Sequence, residues 1–308
     1  MHTQFVIAFS LYFTVILLIG IFAHKRQNTA QDFVMGGRSL SFWVTAFSAH
    51  ASDMSAWLFI AFPAAVYLGG IPALWIALGL VLGMFLNWQF VAKKLREETE
   101  KRGCQTLSTF LESRFNDTSG LIRIITATIV IFFMACYLAA NLIGIGLVIE
   151  SIFGISYTTV ISVSMLAAMI YSFIGGYYTV AKIDQFQAIF LLLAIIIVPL
   201  TAWMHTQGGV QTIRTVAENN HIPLTLLNDY SFESIRNIVF LALGWGLGYF
   251  GQPHIVTKFM GIKCPTELNK AKWVGMTWQI LALSFAGLVG LTGIGFFNAS
   301  LSDPQLVF

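Results

Sequence analysis

The sequence has 308 residues, of which 57% are hydrophobic and only 10% are charged, and its mean hydropathy is +0.77. A soluble domain carries about 25% charged residues, so this composition excludes a soluble domain and indicates a protein that crosses a membrane several times. The net charge of +3 is small. The sequence contains no basic stripe with interleaved aromatic residues of the kind that would indicate nucleic-acid binding. The cysteines at 104, 136 and 264 are too widely spaced to predict a disulfide framework or a metal site.

Long apolar runs predict an all-α polytopic membrane protein, because helices satisfy their own backbone hydrogen bonds in lipid. About eight transmembrane helices are expected. In chain order they cover residues 5–23, 42–70, 73–91, 121–153, 158–178, 184–205, 234–259 and 273–297. The charged loop 92–120 is expected to hold a short amphipathic helix at 107–114, and residues 206–232 are expected to be a polar loop.

The positions of lysine and arginine predict the orientation of these helices. Basic residues concentrate in and beside the loops that follow helices 1, 3, 5 and 7, and Arg214 and Arg236 are the exceptions. Cytoplasmic loops of membrane proteins carry an excess of such residues. The sequence therefore predicts an N-terminus outside the cell.

The stretch Ser48-Ala49-His50-Ala51-Ser52-Asp53-Met54-Ser55-Ala56-Trp57 places a carboxylate, several hydroxyls and small residues at bilayer depth. A charged side chain is costly there and is normally kept for handling an ion or a substrate. These residues propagate a helix poorly and bond readily to backbone. We expect a broken helix whose freed carbonyls and Asp53 bind a cation. The alternative is a continuous helix that uses this stretch for packing.

The seventh predicted helix is rich in glycine and aromatic residues. Trp245 and Tyr249 lie four residues apart and therefore share a helix face, and Pro253 predicts a bend. Glycines allow close approach of another backbone or of a ligand. Ordinary helix packing explains the same pattern. The glycines are Gly244, Gly246, Gly248 and Gly251.

Other polar residues within or beside the predicted helices are candidates for function. The Tyr137 hydroxyl in the middle of helix 4 needs a partner, which is either protein or ligand. Asp184 and Lys182 begin helix 6, and Arg38 precedes helix 2. All three belong either to an inner ion route or gate, or to a solvated cap or charge pair.

The sequence contains no motif typical of an enzyme, such as Gly-x-Ser-x-Gly, His-Glu-x-x-His or a phosphate-binding glycine loop. His50 and Asp53 permit the alternative of a proton relay or an intramembrane hydrolase, but they lack an evident nucleophile.

Several motifs, read in order, resemble the sodium:solute symporter family, and most closely its bacterial proline-transporting members. They extend from helix 2 to helix 7. The motifs are Gly36-Gly37-Arg38-Ser39-Leu40, residues 48–57 as quoted above, Tyr171-Ser172-Phe173-Ile174-Gly175-Gly176 with Asp184 soon after, and Gly244-Trp245-Gly246-Leu247-Gly248-Tyr249-Phe250-Gly251-Gln252-Pro253-His254.

The resemblance implies an inverted-repeat fold with a five-plus-five helix core preceded by one extra helix. Residues 1–308 would then form a single transporter domain. Residues 1–41 would hold the extra helix and an inner loop, residues 42–207 the first repeat, and residues 233–308 the start of the second repeat. The chain ends before a later helix that carries sodium ligands in the family, so we expect a truncated domain with an incomplete sodium site.

The resemblance also implies roles for individual residues. The carbonyls of Ala51 and Met54 would ligate sodium, and Asp53 and Ser55 would couple the ion to the solute. The solute pocket would be lined by Ser55, Trp57, Tyr137, Trp245 and Tyr249, with Pro253 shaping the bend. Arg38 would belong to the inner gate and Asp184 to the sodium exit route.

Together these features predict sodium-coupled symport of L-proline by alternating access in the bacterial inner membrane, with sodium co-transported and no organic cofactor. Two departures from the family pattern bear on the solute: Ala56 replaces a typical glycine, and His50 replaces a small residue. The alternatives are a symporter of pantothenate, a sugar or another amino acid, and a transporter-like input module of a membrane sensor.

Overall fold

A computed structural model describes residues 2–24, 29–206, 208–227, 231–298, 301 and 303–308. Lys25 and Arg26, which contribute to the basic signal after helix 1, lie outside these residues, as does Gln207 at the end of the first predicted repeat. The α-helices of the described residues are numbered α1 His2–His24, α2 Ala30–Met35, α3 Phe42–Met54, α4 Ala61–Gly69, α5 Leu74–Leu86, α6 Lys93–Lys101, α7 Leu107–Arg114, α8 Leu121–Phe153, α9 Tyr157–His205, α10 Val210–Asn219, α11 Phe232–Leu247, α12 Pro253–Met260 and α13 Leu268–Phe296.

Several helices follow the predicted bounds. Helix α8 covers residues 121–153 and α7 covers residues 107–114, as expected from the sequence. Gly120 and Gly154 flank α8 in the left-handed conformation, in which glycine pays no Cβ penalty. Thr106 begins α7 with a reciprocal capping box to Thr109.

Four helices of the described residues are long and apolar enough to cross a membrane: Ile71–Lys101, Leu121–Ser151, Gly175–His205 and Pro265–Phe296. The pair Phe42–Met54 and Ala56–Gly69 meets the same criteria across its break, which raises the number to five. Ser10–Ala23 and Tyr157–Ile170 are shorter apolar helices. The chain is therefore helical and strongly apolar along most of its length.

Three regions differ from the sequence-based expectation. The predicted helices 5 and 6 follow each other directly within α9 and are separated by a kink at Gly176 (φ 53°, ψ −170°), earlier in the chain than the expected boundary. Part of the predicted charged loop is helical: α6 covers Lys93–Lys101, and i,i+4 ion pairs such as Arg96–Glu100 (2.7 Å) lie along it. The expected polar loop 206–232 contains α10, an amphipathic helix whose Ala217 is buried.

The chain divides into two compact units. The first unit comprises residues 1–53, 92–187 and 253–271. Its apolar core includes Leu40, Val44, Tyr178 and Ala181. A short backbone pairing adds to it, because Leu40 N donates to the Gly261 carbonyl (3.1 Å) and Lys263 N donates to the Leu40 carbonyl (2.8 Å).

The second unit comprises residues 54–91, 188–252 and 272–308. Its closest helix packing joins α5 and α11, where Gly79 and Gly83 face the backbone of Ala242 and Gly246. A Cβ on either α5 glycine would overlap that backbone, so this small-x-x-x-small pattern permits the contact. Buried residues of α13, such as Ala282 and Ala286, complete the interior.

Candidate functional site

The expected break in helix 2 is present at Ser55. Helix α3 ends at Met54, Ser55 adopts φ 38° and ψ −156°, and a 3-10 turn, Ala56–Leu58, follows before α4 begins. A positive φ at a residue other than glycine costs about 1–3 kcal/mol and persists where the surrounding structure requires it. Because α3 ends at Met54, carbonyls of its last turn can accept from groups outside the helix.

Tyr137 of α8 meets this helix end inside the first unit. Its hydroxyl donates to the Ser52 carbonyl at 2.7 Å, and the Asp53 carbonyl lies 3.3 Å away. The hydroxyl at bilayer depth therefore has a protein partner. The His254 ring stacks on the Tyr137 ring, with centroids 5.0 Å apart and planes 21° apart. The structure thus brings a residue predicted to line the solute pocket to the carbonyls of the broken helix.

A chain of polar contacts continues from Ser52 to Asp184. The Ser52 hydroxyl donates to Asp184 Oδ2 at 2.9 Å, and Lys258 Nζ donates to the same oxygen at 2.8 Å. The exposed fractions of the two charged side chains are only 13% for Asp184 and 5% for Lys258. Asp184 is therefore held in a nearly buried charge pair and is not a solvated helix cap. Lys182, its sequence neighbour, donates instead to Gln185 (3.3 Å).

Lys258 is a functional candidate that the sequence analysis missed. Its ammonium also lies 5.1 Å from the centre of the Tyr177 ring, and the Tyr177 hydroxyl donates to the Thr257 carbonyl at 2.9 Å. These contacts tie α12 to α9 within the first unit. A lysine inside the predicted seventh helix was the available signal, because charges within transmembrane segments are costly.

Arg38 joins three segments of the first unit. Its guanidinium donates to the Thr99 hydroxyl (3.3 Å), the Met260 carbonyl (3.3 Å) and the Cys104 carbonyl (3.1 Å). Partial burial lowers the pKa of Arg38 from its ordinary value, and the group remains charged because arginine titrates so high. Arg38 therefore links three segments of the chain through hydrogen bonds.

Arg96 reinforces the same region. It is almost fully buried and donates to the carbonyls of Ile262 (2.7 Å) and Lys263 (3.2 Å). It also pairs with Glu100 at 2.7 Å. The segment after α12 is thus held by two guanidinium groups. Arg96 was counted from the sequence only as a basic loop residue, because its partners are backbone atoms far along the chain.

The second unit contains the other predicted pocket residues. The ring centroid of Trp57 lies 5.1 Å from that of Trp245 and 5.1 Å from that of Phe62. Tyr249 is fully buried: its carbonyl accepts from Asn87 Nδ2 at 2.8 Å, and its hydroxyl accepts from Gln279 Nε2 at 3.2 Å. The structure therefore brings Trp57 and Trp245 together and encloses Tyr249.

Helix 7 is interrupted next to Pro253, where the sequence predicts a bend. Helix α11 ends at Leu247, a 3-10 turn covers Gly248–Phe250, and α12 begins at Pro253. The glycines of this region differ in role. Gly246 packs against α5, whereas a Cβ on Gly244 or Gly251 would meet nothing within 4 Å among the described residues.

Comparison with known proteins identifies the family. The sodium:solute symporter family matches residues 33–305. The chain belongs to the sodium:solute symporter family. This is a transporter family and not an enzyme family, and its members are multi-pass membrane proteins.

Among family members, the High-affinity proline transporter PutP of Bacillus subtilis (strain 168) is 38% identical over 296 residues, covering 95% of this chain and 62% of the relative. The Sodium/proline symporter of Escherichia coli (strain K12) is 37% identical over 297 residues, covering 96% of this chain and 58% of the relative. The chain therefore spans about 60% of the length of these relatives.

The fold is that of a solved sodium-coupled symporter. A Na+-coupled sialic acid symporter, solved in a substrate-bound outward-open state, matches with a TM-score of 0.83 and 19% identity. The match covers 96% of this chain and 64% of that chain. The all-α, inverted-repeat symporter fold expected from the sequence is thereby confirmed.

Proposed function

We propose that the protein performs sodium-coupled symport of L-proline by alternating access in the bacterial inner membrane. Family membership and the two proline-transporting relatives support this function. The observation that carries it is the end of α3 at Met54, where backbone carbonyls are released beside a tyrosine hydroxyl. Unwound carbonyls of this kind coordinate sodium in secondary transporters.

For the first unit, we propose that the Ala51 carbonyl ligates sodium and that Asp53 couples the ion to the solute. Tyr137 lines the solute pocket, and Pro253 shapes the bend before α12. Asp184 belongs to the sodium exit route in this proposal. Its nearly buried charge pair with Lys258 supports that role.

Arg38 belongs to the inner gate in this proposal. Its contacts with three segments support that role, because opening the gate requires those segments to separate.

For the second unit, we propose that the Met54 carbonyl ligates sodium and that Ser55 contributes to both the ion and the solute sites. Trp57, Trp245 and Tyr249 line the solute pocket, and the contact between the two indole rings supports an aromatic wall. In this proposal residues 1–41 hold the extra helix and the inner loop. Residues 42–207 then form the first repeat, and residues 233–308 form the start of the second repeat.

The coupling of sodium to proline follows from thermodynamic linkage between the sodium site and the solute site. If sodium orders the broken helix and thereby raises the affinity for proline, proline raises the affinity for sodium by the same factor. The membrane potential contributes about 2.3 kcal/mol per charge per 100 mV to the inward movement of sodium. No covalent step is required.

Uptake of tritiated L-proline tests this function. The full gene product is expressed in cells that lack their own proline carriers, and uptake is measured with sodium and with choline in its place. We expect sodium-dependent uptake that collapses when an ionophore removes the sodium gradient. Proline uptake indifferent to sodium would refute the coupling, and sodium-dependent uptake of pantothenate, a sugar or another amino acid instead of proline would refute the substrate.

A pair of carboxylate variants tests the site. Asp53→Asn removes the charge beside the broken helix and is expected to abolish most of the sodium stimulation. Asp303→Asn is the matched control, because Asp303 is exposed and caps only a short turn through Gln305 N (3.0 Å). Equal sodium stimulation in both variants would contradict the role of Asp53.

A further inference from the structure

Two buried amide side chains enclose Tyr249 in the second unit. Asn87 and Gln279 are each 0% exposed, as is Tyr249 itself. Asn87 Nδ2 donates to the backbone carbonyl of Tyr249, and Gln279 Nε2 donates to its hydroxyl. The aromatic residue is therefore held at both ends, once through its backbone and once through its side chain.

The hydrogen bond from Asn87 replaces a backbone donor that is missing at Pro253. In a continuous helix, the Tyr249 carbonyl would accept from the N–H of residue 253. That residue is Pro253, which has no N–H. Because an unpaired buried carbonyl is unfavourable, Asn87 supplies the missing hydrogen bond at the point where the helix is broken.

Local helix geometry brings Asn87 to this position. Asn87 is the first residue of a π-helical segment, Asn87–Ala92, that directly follows α5. Single π-helical turns are rare and occur frequently at functional sites. The close glycine packing of α5 against α11 places the two helices near enough for the amide to reach the Tyr249 backbone.

The cluster of Asn87, Gln279 and Tyr249 also contains two buried amide oxygens whose hydrogen-bonding capacity is unsatisfied among the described residues. Asn87 Oδ1 and Gln279 Oε1 are buried and accept no hydrogen bond from any residue within the described ranges. Buried acceptors without partners lower stability, and they call for an explanation other than packing. An apolar pair would fill the same space without that cost.

We propose that Asn87 and Gln279 are positioning residues that fix Tyr249 in the wall of the solute pocket. This inference rests on the proposed function, because it assigns to the two amides the task of setting the affinity for the solute through Tyr249. Gln279 acts through the Tyr249 hydroxyl, and Asn87 acts through the backbone of the broken helix.

A double-mutant cycle on the full gene product tests the role of Gln279. Gln279→Met keeps the approximate size of the side chain and removes its donor, and Tyr249→Phe removes the hydroxyl that receives it. We expect each single variant to raise the KM for tritiated proline about three- to tenfold, the range for one lost neutral hydrogen bond. In the Tyr249→Phe background, Gln279→Met is expected to change KM by less than about twofold, because the interaction is already absent.

The readout separates positioning from a purely structural role. Fewer folded molecules lower Vmax but leave KM unchanged, so a variant that loses only Vmax contradicts the proposal. Gln279→Leu, which likewise removes the donor without adding a charge, replaces Gln279→Met if the latter fails to reach the membrane. The matched control is Gln211→Met, an exposed amide of α10 in the same unit, for which KM is expected to stay at the wild-type value.

Asn87→Leu tests the second contact. Because Asn87 bonds to backbone, its effect on KM is expected to persist in the Tyr249→Phe background. Multiplicative effects of Gln279→Met and Tyr249→Phe on KM, or an Asn87→Leu variant with wild-type KM, would overturn the proposal. If the wild-type protein does not take up proline, the proposed function fails first, and the two failures are thereby distinguished.

Discussion

Removing one charge from the Asp184–Lys258 pair is expected to destabilise the protein strongly, whereas removing both is not. The pair is 2.8 Å long, and its side chains are 13% and 5% exposed. Breaking a buried pair from one side costs about 3–5 kcal/mol, because the remaining charge stays in a low-dielectric site. Lys258→Met would leave the Asp184 carboxylate with the hydrogen bond from the Ser52 hydroxyl but without its counter-charge, and Asp184→Asn would leave the ammonium without its counter-charge.

Thermal unfolding of the purified gene product in sodium-free detergent measures this effect. Each single variant is expected to lower the midpoint by several degrees, and the double variant Lys258→Met/Asp184→Asn is expected to recover at least half of the loss. Lys93→Met is the control, because the Lys93–Glu97 pair is 3.8 Å long with side chains 63% and 51% exposed. An exposed pair of this kind contributes less than about 1 kcal/mol. A double variant as unstable as the sum of both single variants would refute the reasoning.

Three further predictions concern other contacts. Tyr137→Phe removes the donor to the Ser52 carbonyl, and we expect the sodium concentration for half-maximal uptake to rise roughly tenfold; an unchanged sodium dependence would contradict this. Arg96→Lys keeps the charge but loses the planar guanidinium that binds two carbonyls. We therefore expect the free energy of unfolding to fall by about 1–3 kcal/mol, and a wild-type unfolding midpoint would contradict a stabilising role of Arg96. Gly246→Ala is expected to lower the unfolding midpoint because its Cβ would overlap the α5 backbone, whereas Gly244→Ala, which has open space around it, is expected to be neutral or slightly stabilising.

Local signals in the sequence determined much of the architecture. Apolar run length gave the bounds of α8, and the amphipathic pattern gave those of α7. Residues with poor helix propagation predicted the break at Ser55, and Pro253 stands where α12 begins after the interruption of helix 7. Each of these features depends on residues within a few turns of one another.

The partners of the site residues were decided only by the tertiary structure. Asp184 and Lys258 are 74 residues apart, and Asn87 and Tyr249 are 162 apart. No periodic pattern relates such distant positions, so the sequence left Asp184 between an ion route and a solvated cap or charge pair of unknown partner, and it predicted no role for Asn87, Gln279 or Lys258. The backbone signals for breaking a helix are local, whereas the donors that satisfy the broken ends come from whichever helices pack beside them. The sequence therefore determined where the helices break, and the packing decided which side chains complete them.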